Sequence, residues 1–186
     1  RADFLRVQSD PLATEGQVRR AQRGLAYASP ASAAPVRTTS LPPGVLPRSA
    51  WGARPVNRSK VTPANAPWRH ITIHHSTSKD SPAVLATASG AKSDLQRIQK
   101  YHMTNNGWGD VGYHFLIDAG GRIYEGRSME FQGAHAGTDG ASNNNVGNIG
   151  ICLLGNFDEE RPTPAALRSL EQLVRNLRST YSIPSK

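Results

Sequence analysis

The chain has 186 residues, enough for one ordinary domain with a tail or for two small domains. Its net charge is +8, and residues 1–48 supply +4 of it from seven arginines and three acids, so the other +4 is spread thinly over the rest. A charge this dilute does not form the basic stripe of a nucleic-acid-binding protein, although it is compatible with an anionic partner.

The 186 residues show no sign of three further features. No run of eighteen apolar residues is present, so no segment is expected to span a membrane. The single cysteine, Cys152, excludes an internal disulfide framework. The first 30 residues contain arginines but no apolar core of the kind that a signal peptide requires.

Residues 1–47 are predicted to form an extended tail. A weak helical pattern runs through residues 16–27, but Gly16 and Gly24 oppose it. Residues 29–47 are rich in Ala, Ser, Thr and Pro and cannot bury enough apolar surface to offset the entropy of ordering them. A single domain is therefore predicted over residues 48–186.

The first predicted strand covers residues 70–75, HITIHH, by its alternation and its β-branched residues. Side chains alternate across a strand, so Ile71, Ile73 and His75 are expected on one face and His74 on the other. A helix is then predicted from the capping box at residues 93–96 to the breaker Asn105-Asn106-Gly107.

Three more elements follow in the second half of the chain. Residues 113–118 and 122–126, joined by Ala-Gly-Gly, are predicted to form a β-hairpin. The apolar run at 148–155 predicts a buried central strand. Thr163 and Pro164 open a helix to residue 181, with an apolar face predicted at Leu167, Leu170, Val174, Leu177 and Tyr181. The fold class predicted is α/β, a central mixed β-sheet flanked by helices.

The adjacent histidines at the end of the first strand raise the question of a metal site. A catalytic zinc uses three protein ligands, and neighbouring strand residues point to opposite faces. At most one of His74 and His75 can therefore reach a given ion, and His74 is the better candidate for a cleft. A strand end with two partly buried histidines is the alternative that the residues alone leave open.

Six segments in order resemble the peptidoglycan recognition proteins and the related zinc amidases that cleave N-acetylmuramoyl-L-alanine bonds. The resemblance covers about residues 48–183, and its segments are RSAWGARP, ITIHHS, the long helix, GWGDVGYHFLIDAGGRIYEGR, GAHAG and NNVGNIGICLLGNF. It implies a mixed sheet with zinc at the floor of a long groove, and hydrolysis of the amide between N-acetylmuramic acid and L-alanine.

The same resemblance implies roles for seven residues. His74 corresponds to the first zinc ligand, and Tyr113 of GYHF corresponds to the catalytic tyrosine. Contacts with the glycan or the stem peptide are expected from five other side chains: His135, Trp108, Asn144, Arg127 and His75. Cys152, in the middle of an apolar strand, is expected to be a small buried hydrophobe and no ligand.

One departure from the family pattern leaves more than one function open. The pattern ends with a histidine and then a Cys or Asp beside Pro-Gly, whereas no histidine follows His135 in this sequence. We expect the remaining zinc ligands beyond Lys186, in a chain truncated at its C-terminal end. The alternatives are a non-catalytic muropeptide-binding domain and, less favoured, a wall-anchoring protein that uses the basic tail.

The expected partner is peptidoglycan or its muropeptides, with no nucleic acid, and the expected state is a monomer. Export to the cell envelope or the medium is inferred from where that substrate lies and from the composition of the linker. The sequence does not distinguish lysine from diaminopimelate stem peptides, or wall remodelling from recycling, predation or defence.

Overall fold

The computed structural model describes residues 40–184. Its strands are β1 (Val45–Leu46), β2 (His70–His75), β3 (Phe115–Ile117), β4 (Ile123–Glu125), β5 (Thr138–Asp139), β6 (Ser142–Asn143) and β7 (Asn148–Leu153). Five of them form one mixed sheet in the order β1-β4-β3-β7-β2, and β5 pairs with β6 in a small hairpin. Strand β7 runs parallel to both β2 and β3, whereas β3 and β4 are antiparallel.

The helices are α1 (Arg48–Trp51), α2 (Pro82–Leu85), α3 (Ala88–Thr104) and α4 (Pro164–Tyr181), with one 3-10 turn at Arg58–Lys60. The two long helices cover opposite faces of the sheet. Leu116 belongs to the apolar cluster that includes the buried side of α3, and its neighbour Phe115 belongs to the cluster that includes the buried side of α4. The predicted class, a mixed sheet flanked by helices, is confirmed.

Strands β2 and β7 are both confirmed, and together they fix the faces of the histidine pair. The register pairs His74 with Cys152 and His75 with Leu153. Cys152 lies in the α3-side cluster and Leu153 in the α4-side cluster, so the two imidazoles point to opposite faces as the alternation predicted. All six residues of β7 are buried, as a central strand requires.

The predicted start of the long helix α3 is wrong. The helix begins at Ala88, because the hydroxyl of Thr87 accepts the backbone N–H of Gly90 and caps the first turn. Ser93 therefore lies inside the helix rather than at its cap. The predicted end is confirmed, since α3 stops at Thr104.

Helix α4 is confirmed with its cap, but its predicted apolar face is partly wrong. Thr163 accepts the N–H of Ala166 and also donates to the carbonyl of Ala119, which fixes the helix onto the β3–β4 turn. Leu167 is 42% exposed, because the buried stripe runs one position earlier in the first turn. Its members are Ala166, Leu170, Leu173 and Leu177.

The β3–β4 hairpin is confirmed in a shorter form, with Gly121 at φ 86° in its turn. Strand β1 lies inside the segment predicted as linker, and it pairs in parallel with β4. The division at residue 47 stays a prediction, and the weak helical pattern of residues 16–27 lies outside the described residues. Within residues 40–184 no helix has the length and apolarity needed to cross a membrane.

Candidate functional site

The candidate site lies on the α3 side of the sheet, where a strand and two loops bring three aromatic side chains together. Strand β2 carries His74, the segment before β3 carries Tyr113, and the loop between β4 and β5 carries His135. The His74 ring centroid lies 5.3 Å from that of Tyr113 and 5.1 Å from that of His135. All three side chains are buried.

His135 is held through both its backbone and its ring. The side-chain oxygen of Asn145 accepts the backbone N–H of His135 at 2.7 Å and that of Ala136 at 2.9 Å. The ring Nε2 lies 3.1 Å from the carbonyl oxygen of Asn148. A carbonyl can only accept, so Nε2 of His135 carries the proton and Nδ1 presents a lone pair.

That tautomer determines the contact between the two histidines. Nδ1 of His135 lies 3.0 Å from Nε2 of His74, so His74 donates and His135 accepts. Burial lowers the pKa of His135 well below its usual range, and the neighbouring His114 and His74 lower it further. His135 is therefore the neutral acceptor of a directional hydrogen bond from His74 at neutral pH.

Two other buried histidines support the same region as neutral rings. His114 Nδ1 accepts the N–H of Gly150 and its Nε2 donates to the carbonyl of Phe131, which ties β7 to the loop that carries His135. His102 Nδ1 accepts the N–H of Gly112. Burial lowers the pKa of His114 to about 4 and that of His102 to about 3.

Glycines make room for these rings. A Cβ atom on Gly150 would lie 2.4 Å from Cδ2 of the His135 ring, and one on Gly133 would lie 2.5 Å from the same atom. Gly150 is in the middle of β7, where a glycine weakens a strand unless another group must approach closely. The His135 ring is that group.

Replacing Gly150 with Ala is expected to displace the His135 ring and break its hydrogen bond with His74. The added methyl group overpacks the site, which costs about 1–3 kcal/mol of folding free energy. Thermal unfolding and ¹⁵N spectra of the histidine rings measure the two effects. Cys152→Ala, on the same strand and face, is the control and should leave the signals of the His74–His135 pair in place.

Four other side chains were predicted to contact substrate, and two of them, Trp108 and Asn144, are at least partly exposed. Trp108 is half-buried, with its ring centroid 4.7 Å from that of His102. Asn144 is exposed, and its amide donates to the carbonyl of Ala136 at 3.4 Å. Their contacts with substrate stay predictions.

The remaining two are buried by contacts within the protein. His75 is 1% exposed on the α4 side, stacked on Phe157 and accepting that residue's N–H. Arg127 is 3% exposed, and its guanidinium donates to three backbone carbonyls. These contacts account for both side chains structurally, and a role for either in substrate binding stays a prediction.

Sequence reasoning missed Asn145, which holds the backbone of His135, and His102, which holds that of Gly112. Asn145 stands third in a run of three asparagines, and nothing in the run distinguishes it from Asn144. His102 follows Leu95 and Ile98 at helical spacing, and this pattern indicates only a side chain on one face of the helix. The one available signal was Gly150, because a glycine in a strand interior marks the close approach of another group.

The residues described do not by themselves fit a zinc site. Zinc in proteins is held by three or four side-chain ligands. Within residues 40–184 no group of three His, Cys, Asp or Glu side chains is arranged to hold a metal ion. His74 and His135 instead satisfy each other by a hydrogen bond, and Cys152 lies in the α3-side apolar cluster.

Comparison with known proteins gives consistent results. A family profile described as N-acetylmuramoyl-L-alanine amidase matches residues 64–186. Peptidoglycan-recognition protein SC2 of Drosophila melanogaster is 36% identical over 141 residues, which cover 76% of this chain and 71% of that protein. The human protein named N-acetylmuramoyl-L-alanine amidase is 33% identical over 71% of this chain, but the match spans only 22% of the human protein.

Among solved structures, peptidoglycan recognition protein-LE is similar in fold, with a TM-score of 0.65 and 29% sequence identity. The match covers 76% of this chain and 78% of that one. That structure is a complex with tracheal cytotoxin, described there as a monomeric diaminopimelic acid-type peptidoglycan.

Proposed function

This chain belongs to the family of N-acetylmuramoyl-L-alanine amidases and peptidoglycan recognition proteins, and we propose that the protein binds muropeptides and hydrolyses the amide between N-acetylmuramic acid and L-alanine. The observation that carries the proposal is the cluster of His74, Tyr113 and His135, which joins three separate segments on one face of the sheet. Relatives named as amidases and relatives solved with muropeptides support the substrate class.

The chemistry gives each side chain a task. Amide hydrolysis develops negative charge on the carbonyl oxygen, and a hydrogen-bond donor placed for that charge lowers the barrier. The phenol of Tyr113 is the donor in this proposal. His135 is neutral and is fixed by Asn148. It accepts a hydrogen bond from Nε2–H of His74 and so holds the His74 ring in one orientation.

Zinc dependence, with His74 as a ligand, is the part of the proposal that residues 40–184 support least, because they offer no group of three ligand side chains. The same observation favours a second candidate, in which the chain binds muropeptide without cutting it. Both candidates place the protein in the cell envelope or the medium, where peptidoglycan is accessible.

Incubation with purified muropeptides separates the two candidates. We expect release of the stem peptide, measured by chromatography and mass spectrometry, to be abolished by a chelator and restored by zinc. His74→Ala should abolish release, whereas His70→Ala, which replaces an exposed histidine at the start of the same strand, should not.

Each outcome has a distinct meaning. Undiminished release in chelator would remove the zinc mechanism and leave the hydrolysis. Binding by calorimetry without release would establish the binding-only candidate. If the protein neither bound muropeptide nor released stem peptide, the proposed function would be wrong.

A further inference from the structure

The guanidinium of Arg127 is a buried cation that makes no ion pair with any residue between 40 and 184. Its Nε donates to the carbonyl of Val111 at 2.8 Å, one terminal nitrogen to that of Gln132 at 2.8 Å, and the other to that of Asp110 at 3.2 Å. The side chain is 3% exposed. The three acceptors that it reaches are therefore all backbone carbonyls.

These carbonyls belong to two segments that each carry a residue of the site. Residues 110–113 end on Tyr113, and residues 132–135 end on His135. Within residues 40–184 one backbone hydrogen bond joins the two segments directly, from Ala134 N–H to the carbonyl of Gly112. The backbone N–H of Arg127 donates to the carbonyl of Tyr113 and so adds to its side-chain contacts with the first segment.

An arginine suits this position because its planar fork reaches carbonyls in several directions at once, which the single ammonium of a lysine cannot do. Burial lowers the pKa of Arg127 to about 10, and the Asp110 carboxylate opposes that effect, so the side chain stays charged at neutral pH. Its charge also contributes to the lowered pKa of His102 and of His135.

We propose that Arg127 is a positioning residue, whose guanidinium fastens the segment that carries Tyr113 to the segment that carries His135 and so sets the geometry of both against His74. This inference rests on the proposed function for its consequence, but the fastening itself is a property of the free protein. It is separate from the expectation that Arg127 meets a carboxylate of the stem peptide, which stays a prediction.

The test compares Arg127→Lys with Arg122→Lys. Arg122 lies on the same β3–β4 hairpin at its other end, where it donates to Asp118, Tyr124 and the carbonyl of Ala86. Both variants keep the charge and lose a guanidinium network, so a general loss of stability affects both. We expect amide exchange of Gly112 and Ala134 to rise at least about tenfold in Arg127→Lys alone.

Two further measurements make the test specific. In Arg127→Lys the ¹⁵N signals of the His135 ring should shift or broaden, whereas in Arg122→Lys they should match the wild type. In the wild-type protein the Nε–H of Arg127 should exchange slowly with solvent, since it is buried against Val111. The exchange rate of this Nε–H is measured on the wild-type protein, so the proposal can still be tested if Arg127→Lys does not fold.

Unchanged exchange at Gly112 and Ala134 in Arg127→Lys, or an equal rise in Arg122→Lys, would overturn the proposal. Fast exchange of the wild-type Arg127 Nε–H would also overturn it. All these readings are taken without muropeptide, so they are independent of the proposed function. Calorimetry of wild-type protein with muropeptide tests that function separately.

Discussion

Tyr113→Phe is expected to lower the turnover of muropeptide about 10²-fold, equivalent to about 2.7 kcal/mol of transition-state stabilisation. The substitution removes only the hydroxyl group. The ring, 3% exposed, keeps its contacts with His74, His102 and His135, so its packing should be preserved. Steady-state kinetics of stem-peptide release give kcat and KM separately, and the loss should fall on kcat.

Tyr124→Phe is the matched control for this prediction. Tyr124 is also 3% exposed, and its hydroxyl donates to Asp118 and accepts from Arg122 at 2.9 and 3.0 Å, remote from the histidines. Its loss should lower the unfolding temperature and leave kcat unchanged. An unchanged kcat in Tyr113→Phe would instead assign Tyr113 to packing, since its ring alone would then account for its position.

The sequence predicted the sheet and the orientation of His74 because these depend on local patterns. Alternation with a period of two fixes which face of a strand a side chain occupies. This holds for each strand of the sheet separately, so β2 and β7 could each be interpreted from their own residues. The helix start was predicted less well. Ser93 and Thr87 are both acceptable caps, and only the packing of α3 against α2 distinguishes them.

The position of His135 could not be predicted in the same way. It depends on hydrogen bonds that His135 donates to Asn145 and Asn148, and on the backbone carbonyls that Arg127 binds in the segments before and after the hairpin. Such contacts join residues that no local periodicity relates. Gly150 pointed to a close approach, but a glycine does not identify the ring that approaches.

The segment that precedes Tyr113 depends on a second buried charge, the carboxylate of Asp110. Asp110 is fully buried and accepts hydrogen bonds from the guanidinium of Arg48 at 2.8 and 3.2 Å. It also accepts from the side-chain amide of Gln99 at 2.7 Å and from the backbone N–H of Val111 at 2.8 Å. The network therefore joins α1, α3 and the segment that leads to Tyr113.

Asp110→Ala is expected to lower the free energy of unfolding by about 3 kcal/mol, because it removes the buried carboxylate that pairs with the partly buried Arg48 and accepts from Gln99 and Val111. For a domain of this size the unfolding temperature should fall by roughly 10 °C. Denaturant titration at constant pH, with the midpoint and the slope fitted separately, measures the loss.

Glu130→Ala is the comparison that gives this number its meaning, since Glu130 also pairs with an arginine, Arg58, at 3.8 Å. Both partners of that pair are largely exposed, so its loss should cost less than about 1 kcal/mol. Asp110→Asn, which retains an oxygen for Val111 and Gln99 but not the charge, should fall between the two. If Asp110→Ala lowered the free energy of unfolding no more than Glu130→Ala does, the buried carboxylate would add nothing net to stability. The segment before Tyr113 would then have to be held by Arg127 and by backbone contacts.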